Sequence, residues 1–205
     1  MELLTSFWQI IKGWDQTGLF HINQVWQNKF FDAVLPWLRE AMFWLPLYIF
    51  FISLVIVNYG KKGFYWLLFF VLTIVVCDQF SSSFIKNWIG RVRPCNDPFM
   101  LQFIELRVNV CPSSFSFTSS HATNHFGIAT FIHLTLRRML NNKTSWLFLW
   151  AFAICYAQMY VGVHYPIDIL GGMLAGIFAG WLTARLFNRY LALEQPQKTV
   201  AIAGQ

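Results

Sequence analysis

Five long apolar segments dominate the sequence and restrict what the chain can fold into. They cover about residues 41–58, 63–84, 121–139, 145–163 and 167–187. Each has about the 18 to 25 residues with which an α-helix crosses a hydrocarbon core of about 30 Å. Only 12% of the 205 residues are charged, against about 25% in an ordinary soluble domain. The sequence therefore predicts an all-α, polytopic membrane bundle of five transmembrane helices.

The first 40 residues have a different pattern. Trp8, Trp14, Trp26 and Trp37 recur among charged residues, without a continuous apolar run. Indole rings favour the membrane–water interface, so this part is predicted to form one or two amphipathic interfacial helices. A sixth, poorly hydrophobic span is the alternative. A cleaved signal peptide is not expected, because no basic start leads into a compact apolar stretch and a cleavage site.

The distribution of basic residues predicts an orientation. Lys and Arg favour the cytoplasmic side of a membrane, and one side of the five-span bundle carries most of them: Lys61, Lys62, Arg137, Arg138, Lys143, Arg185, Arg189 and Lys198. Lys86, Arg91, Arg93 and Arg107 lie on the opposite, outer side. The cytoplasmic cluster explains the net charge of +6. Apart from that charge, the sequence gives no support for nucleic-acid binding. Residues 1–205 are predicted to form one domain with a loose tail over 190–205.

Three polar stretches fall on the outer side: KNWIGRVRP at 86–94, SFSFTSSHATNH at 114–125 and GVHYPID at 162–168. The second and fourth spans end outward, and the third and fifth begin there. The three stretches can therefore converge on one pocket at the membrane surface.

The first two stretches carry features of an anion site. Lys86 and Arg93 are seven residues apart, so a helix would place both on one face as a cationic clamp; snorkelling anchors are the alternative. The Ser/Thr cluster before the third span is typical of a helix N-cap, where free N–H groups bind anions. His121 would lie in the first turn with His125 one turn further on the same face, and a hydrogen-bonded interface histidine is the other interpretation.

The third stretch places His164 just before Pro166, which suits the first turn of a helix, and Asp168 inside that helix. A carboxylate that reaches one ring nitrogen of the histidine fixes its tautomer. The other nitrogen is then available as a nucleophile.

The order Lys-x6-Arg-Pro, Ser-x-His, His-x3-Asp resembles the type 2 phosphatidic acid phosphatase superfamily. The resemblance covers about residues 41–188 and rests on seven residues: Lys86, Arg93, Pro94, Ser119, His121, His164 and Asp168. It implies a phosphatase without metal or cofactor. His164 would form a phosphohistidine, Asp168 would orient it, and His121 would protonate the leaving group and then activate water. The phosphoryl oxygens would be held by Lys86, Arg93, Ser119 and backbone N–H groups near Ser120.

Two positions depart from the family pattern. Ser120 stands where the family usually has Gly, so the turn cannot rely on a positive φ. Ala157 and Gln158 stand where it usually has Ser-Arg, so a phosphate-binding cation is missing. Gln158 can still donate a neutral hydrogen bond, which is weaker than a charged one. Either Arg91 or Arg107 compensates, or phosphate binds less tightly.

Cys95 and Cys111 flank an apolar segment, NDPFMLQFIELRVNV, between the first two motifs. In an oxidising compartment they could form a disulfide that adds about 3 kcal/mol in the chain-entropy model; two free thiols are the alternative. The segment is predicted to be a lid that dips into the interface and guides a lipid chain.

The sequence thus predicts an enzyme that dephosphorylates a membrane lipid, with its site on the periplasmic side of a bacterial inner membrane. The bacterial family members of similar size act on undecaprenyl pyrophosphate, the preferred substrate here, or on phosphatidylglycerophosphate or lipid A phosphates. A lipid phosphotransferase or a non-catalytic lipid-phosphate binder would use the same residues. The expected partners are the lipid phosphate and the bilayer, and the oligomeric state is left open.

Overall fold

The structure, a computed structural model, describes residues 2–193, and all the regular secondary structure in that range is helical, without strands. The helices are α1 (Glu2–Phe20), α2 (Lys29–Leu38), α3 (Leu45–Tyr59), α4 (Lys61–Asp78), α5 (Lys86–Ile89), α6 (Ser120–Leu136), α7 (Trp146–Tyr160) and α8 (Pro166–Leu191). π-helical turns follow α1 at His21–Val25 and join α4 to α5 at Gln79–Ile85, and a 3-10 turn at Ala41–Trp44 leads into α3. The all-α prediction is confirmed for the described residues.

The five predicted apolar segments coincide with α3, the continuous α4–α5 stretch, α6, α7 and α8. Within the described range, three helices are long and apolar enough to cross a membrane: 41–59, 61–89 and 166–191. α6 and α7 have 17 and 15 residues, so the number of five or six spans stays a prediction. Most of the predicted tail, from residue 194 onward, lies outside the described residues, and residues 190–191 are the end of α8.

The closest helix pair is α6 with α8. Gly172, Gly176 and Gly180 form a ridge on α8, and an added Cβ at Gly176 would lie only 2.3 Å from the backbone oxygen of Thr123. Small residues at such a contact let two helix backbones approach closely. The N-terminal ends of the two helices therefore meet, and Ser119 N–H donates to the Asp168 backbone oxygen at 3.1 Å.

The N-terminal helices pack onto the bundle through buried polar groups. Asp15 of α1 is 3% exposed and accepts a hydrogen bond from Ile167 N–H at 2.8 Å. Asn23 accepts from Glu105 N–H at 2.8 Å and donates to the Tyr160 backbone oxygen at 2.7 Å. Groups of the first 40 residues thus hold the loops that carry two of the polar motifs.

The segment between α5 and α6 is closed by a disulfide between Cys95 and Cys111. Met100 is buried, whereas Phe99, Leu101 and Phe103 are exposed. An apolar edge is thus presented beside α1, which is compatible with the predicted lid. Whether it guides a lipid chain stays a prediction.

Candidate active site

His164 lies in the loop between α7 and α8 and is 2% exposed. Its Nδ1 is 3.5 Å from Asp168 Oδ2. Asp168 is fully buried, and the same oxygen accepts from Ser116 Oγ at 2.5 Å and from Tyr165 N–H at 2.8 Å. The carboxylate is fixed from three sides and faces the ring nitrogen that should carry the proton.

The second ring nitrogen of His164 faces a cation. Arg93 Nη1 lies 3.0 Å from His164 Nε2, and because a guanidinium can only donate, Nε2 acts as the acceptor. Burial lowers the pKa of His164 to about 4, and the charges of Arg93 and Lys86 act in the same direction, against the bond to Asp168. The imidazole is therefore neutral at neutral pH, with its Nε2 lone pair directed toward the cation.

Lys86 and Arg93 both reach the site, but not from one helix. The helix ends at Ile89, where Gly90 takes a left-handed conformation with φ 62°, and Arg93 follows in extended backbone. The prediction of a single helix face is therefore wrong. Both side chains are nevertheless 5% exposed and their charges act on each other, so they are not snorkelling anchors.

Arg93 is held in place by backbone and hydroxyl oxygens. Its Nε donates to the Ser114 backbone oxygen at 2.7 Å, its Nη2 to Ser114 Oγ at 2.9 Å and its Nη1 to the Val163 backbone oxygen at 3.1 Å. Burial lowers the pKa of Arg93 to about 10. None of these partners is charged, so the guanidinium keeps its full positive charge for an anion.

The predicted N-cap in the Ser/Thr cluster is confirmed: Ser119 caps α6, and its Oγ accepts from Ala122 N–H at 3.4 Å. Ser120 is the first helical residue, and its hydroxyl lies 2.8 Å from Ser82 Oγ. Among residues 2–193, the non-glycine residues with positive φ are Asn141 and Asn142. Serine fits at position 120 because the backbone there does not need the conformation for which glycine is selected.

The two histidines of α6 have different surroundings. His125 is buried, and its Nδ1 lies 2.8 Å from the His121 backbone oxygen, while its Nε2 lies 3.4 Å from the Tyr48 hydroxyl. The His121 ring stacks on it with centroids 6.1 Å apart. Within the described range no protein group hydrogen-bonds the His121 ring, and His121 is only half-buried. His121 is thus the histidine of α6 that can exchange a proton with a ligand.

Gln158 is fully buried, and neither its Oε1 nor its Nε2 has a partner among the described residues. The two arginines expected to compensate for it are both paired with carboxylates. Arg91 forms salt bridges to Asp15 and to Asp168 Oδ1, the latter at 2.7 Å. Arg107 forms them to Asp32 at 3.0 Å and Glu105 at 2.9 Å. Neither arginine is therefore without a carboxylate partner in the described residues, and whether one of them compensates or phosphate binds less tightly stays open.

Arg91 instead holds the Asp168 carboxylate, a role that the sequence analysis did not predict. Burial opposes its charge, but Asp168 and Asp15 outweigh that effect and raise the pKa of Arg91. Its guanidinium lies 4.0 Å from the centre of the Tyr165 ring. Arg91 thus positions Asp168 from the side opposite His164. Ser116 was also missed, although it lies within the quoted Ser/Thr cluster; Asp15 gave no signal in the sequence.

Comparisons with known proteins find one superfamily and relatives that are named as phosphatases. The profile of the PAP2 superfamily matches residues 64–191. The chain is 32% identical to the lipid A 4'-phosphatase of Bacteroides thetaiotaomicron, over 86% of this chain and 79% of that protein. It is 28% identical to phosphatidylglycerophosphatase B of Bacillus subtilis, over 78% and 75%.

A similar solved structure is the transmembrane PAP2 type phosphatidylglycerolphosphate phosphatase from Bacillus subtilis. It superimposes with a TM-score of 0.65 over 88% of this chain and 87% of that chain, at 21% identity. This similarity shows that the two chains share the same fold.

Proposed function

The chain belongs to the PAP2 superfamily and is a phosphatase of that family, and we propose that it hydrolyses a membrane lipid phosphate through a phosphohistidine at His164. The observation that carries the proposal is the placement of His164 between Asp168 on Nδ1 and Arg93 on Nε2. A neutral, oriented imidazole beside a buried cation is what an attack on a phosphate dianion needs.

In the first step, the phosphate displaces the contact between Arg93 and Nε2, and the Nε2 lone pair attacks phosphorus. The bond between phosphorus and the leaving oxygen breaks, and His121, which is protonated when the phosphate dianion is bound beside it, donates its proton to that oxygen and becomes neutral. The Nδ1 proton stays on the ring, where Asp168 stabilises the positive charge that develops. Lys86, Arg93 and the N-terminal N–H groups of α6 hold the equatorial phosphoryl oxygens.

In the second step, His121 is neutral and removes a proton from a water molecule that attacks phosphorus. The bond between phosphorus and Nε2 breaks, inorganic phosphate leaves, and the His164 ring returns to its neutral tautomer. Lys86 and Arg93 keep their contacts with the phosphoryl group throughout. Each step thus uses groups that are already in the pocket.

The proposed substrate is a lipid phosphate monoester, with the 4'-phosphate of lipid A as the first candidate. The relative at 32% identity is named for that activity, and the match extends over most of both chains. Undecaprenyl pyrophosphate, the substrate preferred from the sequence, and phosphatidylglycerophosphate are the competing candidates. A phosphotransferase would pass the same phosphohistidine to an acceptor lipid instead of water.

We also infer that the site faces the periplasm of the bacterial inner membrane. The basic residues of the opposite loops support this orientation. The disulfide between Cys95 and Cys111, beside the site, supports it too, because disulfides persist in oxidising compartments.

The test is phosphate release by the detergent-solubilised enzyme from a panel of lipid A, undecaprenyl pyrophosphate and phosphatidylglycerophosphate. Preferred hydrolysis of lipid A at the 4' position is expected, with no transfer to added lipid alcohols. Preference for undecaprenyl pyrophosphate would refute the substrate assignment. Absence of phosphate release from every lipid, with retained binding, would identify a lipid-phosphate binder instead.

A further inference from the structure

One cationic side chain whose charge acts on Arg93 and His121 has no hydrogen-bond or salt-bridge partner among the described residues. Arg39 is the C-cap residue of α2 and is half-buried. Its Nε is buried without a hydrogen-bond partner. In the described part of the chain, no carboxylate forms a salt bridge with its guanidinium, and Glu40 acts on it only through its charge. A buried donor without a partner is costly, so the position calls for an anion that binds there.

A series of contacts connects the end of α2 with His121, and the charge of Arg39 acts on that histidine. The preceding residue, Leu38, accepts a hydrogen bond on its backbone oxygen from Trp44 Nε1 at 2.7 Å. The Trp44 ring lies edge-on to Trp150 at 5.5 Å between centroids, and Trp150 lies 5.0 Å from His125. His125 in turn stacks on His121. The end of α2 is therefore linked by packed rings to the helix that carries His121.

The other end of α2 is also fixed. Asn28 caps the helix by accepting from Phe31 N–H at 2.9 Å. Asp32 accepts from the Tyr160 hydroxyl at 2.7 Å, and the Phe31 ring lies edge-on to Tyr160 at 5.9 Å. Because both ends are held, the position of the arginine is built into the fold.

The surrounding charges leave Arg39 without compensation. Its positive charge acts on Arg93 and on His121, and burial lowers its own pKa. A guanidinium nevertheless stays protonated at neutral pH. The nearby carboxylate of Asp168 is already paired with Arg91 and faces His164. The pocket therefore holds more positive charge than its own carboxylates neutralise.

We propose that Arg39 is a phosphate-binding residue. It supplies, from the N-terminal segment, the cation that the third motif lacks at Gln158. The inference rests on the proposed function. It places a charge-assisted hydrogen bond on the side of the phosphate nearest His121, where the leaving oxygen departs. A helix-capping role, in which the cation interacts with the C-terminal end of α2, is the competing explanation.

The two explanations predict opposite effects on stability, and the test uses Arg39→Gln with Lys29→Gln as matched control. Lys29 is an exposed cation at the other end of α2. Vanadate inhibition, KM and kcat for an aryl phosphate and the ligand-free Tm are measured for each full-length variant. Arg39→Gln is expected to weaken vanadate inhibition about tenfold or more. Its Tm should stay equal or rise, because a buried unpaired charge is removed. Lys29→Gln should match the wild type.

Unchanged vanadate inhibition in Arg39→Gln would overturn the proposal, and a lower Tm with unchanged inhibition would establish the capping role. If Arg39→Gln does not fold, Arg39→Lys decides, because it keeps the charge but not the planar fork. If vanadate inhibits Arg39→Lys more weakly than the wild type while the Tm is unchanged, the proposal is supported. Vanadate inhibition equal to that of the wild type overturns it. A wild-type enzyme that is inactive and insensitive to vanadate would refute the proposed function itself. If the wild type is active and Arg39→Gln shows the same vanadate inhibition, only the role of Arg39 is refuted.

Discussion

At the scale of single residues, the two histidines of the proposed site have different surroundings, which suit the different roles proposed for them. His164 is enclosed, with Arg93 on one nitrogen and Asp168 near the other. His121 has a ring without protein hydrogen bonds in the described range and lies at the more open side of the pocket. A nucleophile needs a fixed direction of attack, whereas a proton donor has to follow the leaving group and then the water.

The first prediction separates these roles. His164→Ala should abolish turnover because no phosphoenzyme can form. With poor leaving groups, the kcat of His121→Ala should fall about 10²- to 10⁴-fold, which is the usual contribution of general acid catalysis to the rate. With an activated aryl phosphate, which leaves without a proton, it should still form the phosphoenzyme in a burst measurement. Equal and complete loss in both variants with that substrate would contradict the division of roles.

The second prediction concerns the pH dependence of stability. The pKa of His164 is about 4 in the folded protein, against an ordinary value of about 6.5. As pH falls through this range, the unfolded chain binds a proton that the folded protein does not, so stability is lost. The Tm of the wild type should therefore fall between pH 7 and pH 5, and less steeply in His164→Gln. Parallel slopes would show that Arg93, Lys86 and Asp168 leave the histidine with an ordinary pKa.

At the scale of helices, the site depends on the distance between α6 and α8. Ser119 caps α6 and His121 lies in its first turn, and α8 begins with Pro166 and carries Asp168. The glycine ridge of α8 brings their backbones together, and a Cβ at Gly180 would lie 2.4 Å from the Gly127 backbone oxygen. Backbone atoms cannot move aside as a flexible side chain can, so the ridge fixes the separation of the two motifs.

The third prediction tests that ridge. Gly176→Ala should lower the free energy of unfolding by about 1 to 3 kcal/mol, as overpacking does, and lower kcat by moving Asp168 relative to His121. Gly13→Ala is the control, because an added Cβ at Gly13 meets nothing within 4 Å. Its Tm and kcat should be at least equal to those of the wild type. A Gly176→Ala variant with wild-type stability and kcat would show that α8 can shift without cost.

At the scale of the whole molecule, the site lies where one end of the helical bundle meets three polar loops. The α4–α5 stretch and α7 end there, and α6 and α8 begin there. Lys86, Arg93 and Arg39 bring positive charge to this end, while much of the remaining helix surface is apolar, with exposed side chains such as Leu149, Leu174 and Phe178. This distribution suits a phosphate that arrives at the membrane surface on a lipid.

The fourth prediction follows from that charge. A cationic pocket repels a divalent metal ion, so phosphate release should continue at the wild-type rate in excess chelator. Vanadate, which adopts the five-coordinate geometry of phosphoryl transfer, should inhibit both the chelated and the untreated enzyme. Activity that disappears with the chelator and returns with magnesium would refute a mechanism based on these cations.

The sequence by itself determined the apolar helices and the seven residues that match the family, because helix-forming apolar runs and motif spacing are local properties of a chain. It did not determine which of the cationic side chains near the site are paired with a carboxylate. Arg91 is paired with Asp15, 76 residues away in the chain, and Asp15 also binds Ile167 N–H, 152 residues away. Ion-pair partners are chosen by folding, which brings distant segments into contact, and burial then decides how strongly each charge is felt. Only the tertiary structure therefore showed that Arg91 and Arg107 are paired with carboxylates and that the charge of Arg39 acts on His121.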